Sequence, residues 1–324
     1  MAEEVATNTK TNGKLIMKIK RNTTILFNPS ITALSLAAAL LAAPAVSRGD
    51  PIIYVANSGN NTIEKFISGV GSVFANTGLS QPQGLAFSTS GNLYAANFGN
   101  NTIERFTPGG VGSVFASTGV SGPTGLAFDV AGNLFVADQS NGTIEKFTPG
   151  GVGSVFATGT PTAGGLAFDN AGNLFAVTGS TIMKFTPGGV GSVFASGLSS
   201  PTFLAFDSAG NLFVGEYGNN DIIKFTPGGV GSVFANSGLN YPYGEVFDST
   251  GNLYVANIFG NTVEKFTPGG VGSVYANTGL SGPTGIAIQP VPEPSTLAVL
   301  GFGIPALLAF RRWKRVSTEA ADVL

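Results

Sequence analysis

A chain of 324 residues with 47 Gly, 25 Phe and 18 Pro, 43% apolar and only 10% charged, holds enough aromatic and aliphatic material for a turn-rich core rather than disorder. Its formal net charge is −2, and it has no Cys and no His. That excludes disulfides, thiolate nucleophiles, zinc–sulfur sites, lipoprotein anchors and any general base or metal ligand supplied by imidazole.

Reading from the N-terminus, Lys18, Lys20 and Arg21 precede an apolar run from Ile31 to Ala45 that ends in Ala43-Pro44-Ala45. A basic stretch, an apolar stretch and a small-residue cleavage site make a secretory signal. The polar residues before Met17 fit no part of such a signal. The expected division is therefore an extension over 1–16, with Met17 as the functional start, and a signal helix within 17–45. The alternative is an N-terminal helix retained in the fold.

From residue 50 onward, four short phrases recur in fixed order. The first is Gly84-Leu85-Ala86-Phe87, with counterparts from Gly125, Gly165, Phe203, Gly244 and Gly285. The second is Asn92-Leu93-Tyr94-Ala95-Ala96, the third Thr102-Ile103-Glu104-Arg105-Phe106, and the fourth Gly112-Ser113-Val114-Phe115-Ala116. Successive copies of the second phrase after Asn92 begin 41, 40, 38 and 41 residues apart. Each phrase is short, rich in β-branched and aromatic residues, and bounded by Gly, Pro or Asn, so each reads as a strand. Asp129-Val130-Ala131-Gly132 and its copies predict an Asx-type turn between the first and second strands. Thr107-Pro108-Gly109-Gly110 and its copies predict a type II turn between the third and fourth.

A four-stranded unit repeated at about 40 residues is a propeller blade. Helical solenoids are excluded by the recurrent Gly and Pro. All phrases occur six times, but residues 52–83 lack the first one, and a spare copy, Gly285-Ile286-Ala287-Ile288, lies at the far end. Adding that strand to the incomplete blade pairs both open edges, whereas an open β-solenoid gives no reason for the split. The predicted fold is therefore all-β: a six-bladed β-propeller of four-stranded antiparallel blades over 50–289, with the signal helix before it and a transmembrane helix after it.

The C-terminus reads Pro292-Glu293-Pro294, then apolar Leu297 to Phe310, then Arg311-Arg312-Trp313-Lys314-Arg315. Fourteen helical residues span about 21 Å, short of a bilayer core of about 30 Å. Snorkelling Arg311 narrows the gap, and the basic cluster stays cytoplasmic. Residues 291–315 resemble the PEP-CTERM sorting signal, although such tails usually stop before a segment like 316–324. The resemblance implies export in a Gram-negative bacterium, passage through the secretion machinery, at least transient anchoring in the inner membrane, and processing by an exosortase. It also implies a cell-surface or extracellular-matrix address, often beside an exopolysaccharide.

Through Gly-Leu-Ala-Phe-Asp, Gly-Asn-Leu-Phe-Val-Ala-Asp and Thr-Ile-Glu-Lys-Phe, best seen from Gly125 to Phe147, the repeats resemble NHL repeats and more loosely SMP-30 and gluconolactonase. These imply the fold; such propellers host lactonases, lyases and pure binding modules alike. Related lyases depend on His, which this chain lacks.

The turns between strands one and two and between three and four barely change, whereas the connections at the opposite end vary. Ligand-facing loops and drift in permissive loops both explain that pattern. Around one neighbourhood the repeat breaks most: Glu216, Tyr217, Tyr241, Tyr243, and Glu245, which stands where Leu85, Leu126, Leu166 and Leu204 occur. Carboxylates beside Tyr faces suit a sugar or a divalent cation; alternatively Glu245 snorkels into a wet central channel. Asn57, Asn97, Asp138 and Asn257, with Glu216 and Thr178, recur one per blade. Their oxygens suit a hard cation such as Ca²⁺, or else cap strand ends. The paired Glu104-Arg105 and Glu264-Lys265 are expected to solvate outer strands.

Residues 46–290 carry 13 acids and 7 bases, a net −6, which disfavours nucleic acid. Two functions follow from the residues: a non-catalytic binding or structural module, with a glycan as the candidate ligand, or a metal-dependent hydrolase of the lactonase type. An intracellular scaffold would contradict both termini.

Overall fold

The computed structural model describes residues 50–160 and 163–290, together with the strands Asn8–Thr11, Lys14–Ile19 and Thr23–Phe27. Those three strands form an antiparallel meander of their own, in a unit distinct from the one that begins at Pro51. The apolar run 31–45 and the segment 291–324 lie outside the described residues.

Pro51 onward folds as six four-stranded antiparallel sheets. Blade 1 joins Pro283–Ile288 to Ile52–Asn57, Thr62–Ile67 and Val70–Ala75. Blades 2 to 6 begin with Pro82–Phe87, Pro123–Phe128, Ala163–Phe168, Pro201–Phe206 and Pro242–Phe247, each followed by its three other strands in sequence order. The spare strand closes the ring as the sequence predicts. Ile286 stands opposite Val55, Ala287 opposite Tyr54 and Ile288 opposite Ile53. Gln289 N–H adds a bond to the Ile52 carbonyl at 2.9 Å, and the Tyr54 hydroxyl reaches Gln289 Oε1 at 3.1 Å.

The first strand of each blade lies innermost, and in five of the six blades adjacent first strands approach so closely there that only glycine fits. A Cβ on Gly84, Gly125, Gly244 or Gly285 would overlap a carbonyl oxygen of the next blade, and one on Gly165 would overlap the Phe203 backbone. Around this axis, apolar faces of neighbouring blades bury one another. Tyr94 meets Phe115 of its own blade and Phe128 of the next edge-on, both at 5.0 Å, and the same three-ring arrangement recurs at Tyr54, Phe135, Phe175 and Phe213. Such pairs add about 0.5–1.5 kcal/mol beyond the area they bury.

Two local expectations are corrected. In Thr107-Pro108-Gly109-Gly110 the Gly110 N–H bonds to the Thr107 carbonyl at 2.9 Å, and Gly110, not Gly109, has positive φ at 82°. The turn is thus type I followed by a left-handed bulge glycine rather than type II.

Nor do the paired charges of the third strand both solvate it. Glu64, Glu104, Glu145 and Glu264 are buried, opposite the fully buried Val55, Ala95, Val136 and Val255. Successive strand residues face opposite ways, so only the neighbouring base points outward. Lys265, for example, lies over the Tyr254 ring at 5.5 Å. Burial raises the pKa of Glu64, Glu104 and Glu264.

Candidate functional site

Strand alternation puts the four-to-one connectors and the two-to-three turns at one end of the propeller, here the variable end. The repeated Asp-x-x-Gly and Thr-Pro-Gly-Gly turns occupy the smooth end. At the smooth end Asp129 Oδ1 accepts from the Ala131 and Asn133 N–H groups at 3.0 and 2.8 Å, the expected Asx geometry.

At the variable end, the one-per-blade polar residues point into their own blades. Asn97 donates to the Gly78 carbonyl at 2.8 Å and to Thr102 Oγ1 at 3.1 Å, and accepts from Ser80 N–H at 3.1 Å. Asn57 and Asn257 repeat this scheme with Gly279 and Gly238. Asp138 accepts from Ser121 N–H and from Asn141 Nδ2. Burial nonetheless raises its pKa, against the lowering effect of both hydrogen bonds. Each side chain pins an incoming connector to the adjacent turn. Among the described residues, no three carboxylates gather as a metal cluster.

Blade 5 departs from this scheme. Glu216 accepts from Ser199 N–H at 2.8 Å and from Asn219 Nδ2 at 2.7 Å. Opposite it stands Asp221, where the other blades have Thr62, Thr102, Thr143, Thr181 and Thr262. Desolvation first, then the hydrogen bond and charge of Glu216, raise the Asp221 pKa to about 6. A raised folded pKa favours folding fully below the unfolded value, and that contribution disappears as pH rises through about 6. Asp221→Thr should therefore be more stable than the parent at pH 8, by about 0.2–1 kcal/mol for removal of a like-charge cross-strand pair. The gain should vanish near pH 4; thermal melts across that range check it.

Glu245 does not reach a central channel. It is 6% exposed, wedged between blades 5 and 6, with Oε1 accepting from Gly215 N–H at 2.9 Å. Burial holds its pKa well above the usual carboxylate range, against the lowering effect of that bond. Gly215 stands where Ala56, Ala96, Ala137 and Ala256 occur in other blades, and a Cβ there would press on Thr202 Oγ1 at 3.1 Å and Pro242 Cβ at 3.3 Å.

The turn of blade 4 is cut to Gly179-Ser180, between Thr178 and Thr181, where other blades carry four residues. Beside it opens a pocket of about 330 Å³, walled by Thr124, Gln139, Ser180, Thr202, Phe203 and Tyr243. Phe203 replaces the axial glycine and lies against Tyr243, ring centroids 5.4 Å apart. Burial, with a smaller contribution from the nearby Tyr217 phenol, pushes the Tyr243 pKa up to about 12. The pocket therefore offers hydroxyls, an amide and two aromatic faces, and no charged side chain among these six. A second hollow of about 370 Å³ lies between blades 3 and 4, around Val155, Met183 and Phe185.

Of the sequence-predicted ligand residues, the structure brings Tyr243 to this pocket. Tyr217 and Tyr241 form a neighbouring cluster with Phe259, centroids 4.5 Å apart for the tyrosines and 4.9 Å for Tyr241 and Phe259. Glu216 belongs to the turn beneath them, and Glu245 to the blade interface. Gln139, Ser180 and Thr202 were missed; the 38-residue spacing into blade 5 was the available signal.

Residues 290–315 match the PEP-CTERM protein-sorting motif. The chain thus carries the mark of an exported protein sorted at the membrane. Among the described residues no helix is long and apolar enough to cross a membrane, and the sorting segment lies almost wholly beyond them. No curated protein sequence matches the chain. Among solved structures, it is similar to a chain of a nidogen/laminin complex at 22% identity and TM-score 0.68, over 75% of this chain and 99% of that one. Virginiamycin B lyase from Staphylococcus aureus is similar at 17% identity and TM-score 0.52, over 66% and 85%. A gluconolactonase from Xanthomonas campestris is similar at 16% and 0.55, over 70% and 85%. At these identities the likeness shows the fold alone.

Proposed function

We propose that this chain is a non-catalytic binding module of the cell surface or extracellular matrix, which takes a glycan in the axial pocket of the variable end. The observation that carries the reading is the pocket's chemistry. Hydroxyls and an amide beside the Phe203 and Tyr243 rings suit a sugar, whose CH faces pack on aromatics while its hydroxyls exchange hydrogen bonds. The lactonase alternative has less support: Asp138 and Asn257 are committed to connectors, and Glu245 is sealed between blades. In this reading the apolar tail holds the protein at the inner membrane until an exosortase acts, and the exopolysaccharide outside supplies the ligand.

The test is calorimetric titration of the full chain with neutral oligosaccharides, without added metal. Gln139→Ala and Tyr243→Ala should each weaken binding about tenfold, as expected for one hydrogen bond or stacking face worth about 1.4 kcal/mol. Unchanged affinity in both variants would remove the pocket from consideration, and turnover of a lactone that requires Ca²⁺ or Zn²⁺ would favour the hydrolase.

A further inference from the structure

The pocket does not end at Tyr243. Tyr241 precedes Tyr243 by two residues across Pro242, and Tyr217 packs on Tyr241 with ring centroids 4.5 Å apart. Beyond it Tyr241 and Phe259 continue outward, Phe259 lying 6.1 Å from Tyr217 and 4.9 Å from Tyr241. Phe259 is 59% exposed, at the turn position that holds Gly59, Gly99 and Gly218 in other blades. Tyr241 sits at φ +56°, a left-handed position that its counterparts fill with the smaller or flexible Gly122, Gly282, Ser200 and Gln81. An exposed phenyl ring and a β-propensity aromatic in left-handed backbone both oppose stability, and such departures concentrate where a ligand is met.

Charge narrows the ligand. The five lysines of the propeller each lie over an aromatic ring of their own blade's second strand, and Lys146, Lys184 and Lys224 also face Asp129, Asp169 and Asp207 of the smooth-end turns. Beneath the aromatic series lie Glu216 and Asp221. An anionic sugar would meet carboxylates there, with the lysines turned elsewhere.

Building on the function proposed above, we infer that the axial pocket is one end of a track that holds a linear, uncharged polysaccharide extended towards the rim, with Phe203, Tyr243, Tyr217, Tyr241 and Phe259 as successive stacking faces. A chain ligand gains from each additional ring it covers, so affinity grows with length until the track is full.

The experiment titrates the full chain with two-, four- and six-unit oligomers of glucose, mannose, galactose and N-acetylglucosamine, and with hexagalacturonate. At least one neutral series should bind about tenfold more tightly as hexamer than as dimer, and hexagalacturonate should bind more weakly than that hexamer. Phe259→Ala and Tyr241→Gly, which keeps the left-handed backbone, should abolish the gain with length and leave dimer affinity unchanged. Equal affinity for dimer and hexamer, with Tyr243→Ala still weakening both, overturns the track and leaves the pocket standing. Preference for hexagalacturonate overturns the neutral selectivity. Absence of binding by every neutral series overturns track and glycan pocket together.

Discussion

Deleting Gly285–Gln289 is expected to abolish the cooperative thermal transition and drive the protein into oligomers. The lost strand supplies the innermost ladder of blade 1, opposite Ile53, Tyr54 and Val55. It also carries Ile286, 6% exposed, and seats Gly285 against the Gln83 carbonyl of blade 2. Truncating one buried aliphatic costs about 2–5 kcal/mol, and whole domains are stable by only about 5–15 kcal/mol. Loss of an entire strand, with a hydrophobic edge left unpaired, should therefore consume most of that margin. Calorimetry with size-exclusion chromatography checks it. A monomer that melts like the parent would refute closure through the split blade.

The second large effect concerns the axis. Gly125→Ala should lower stability by about 3 kcal/mol or more, the upper range for overpacking, because the new methyl meets the Gly164 carbonyl rather than a movable side chain. For a domain of this size that corresponds to a fall of about 6–12 °C in Tm. Gly150→Ala is the control, since its Cβ would find nothing nearer than Thr148 Oγ1 at 3.9 Å. A matching small shift in both variants would mean that adjacent inner strands tolerate separation.

The architecture was legible because the sequence repeats itself. Six copies of four phrases announce blade number, and the displaced Gly285-Ile286-Ala287-Ile288 announces closure. Local geometry was less legible. Pro-Gly-Gly offers two candidates for the left-handed position, and the choice of Gly110 over Gly109 depends on the bulge needed to enter the outer strand. The inward glutamates were misread as surface charge, although their counterparts Met183 and Ile223 are apolar and mark the position as facing a neighbour. Glu245 could not be placed from sequence, since its partner is the N–H of Gly215, thirty residues away in another blade. The pocket escaped for a related reason: it arises from a shortened turn in blade 4 and side chains of blades 3, 5 and 6, which no local window contains.

The split blade has a directional consequence. Pro283–Ile288 runs from the variable end to the smooth end, and Ile52–Asn57 sets out from the smooth end again. Ile52 and Ile288, where the chain enters and leaves the propeller, therefore both lie at the smooth end. In the function proposed above, a tether leaving from Pro290 would thus start from the end opposite the pocket. The processing proposed above would fall beyond Pro283–Ile288 and leave the seam of blade 1 intact.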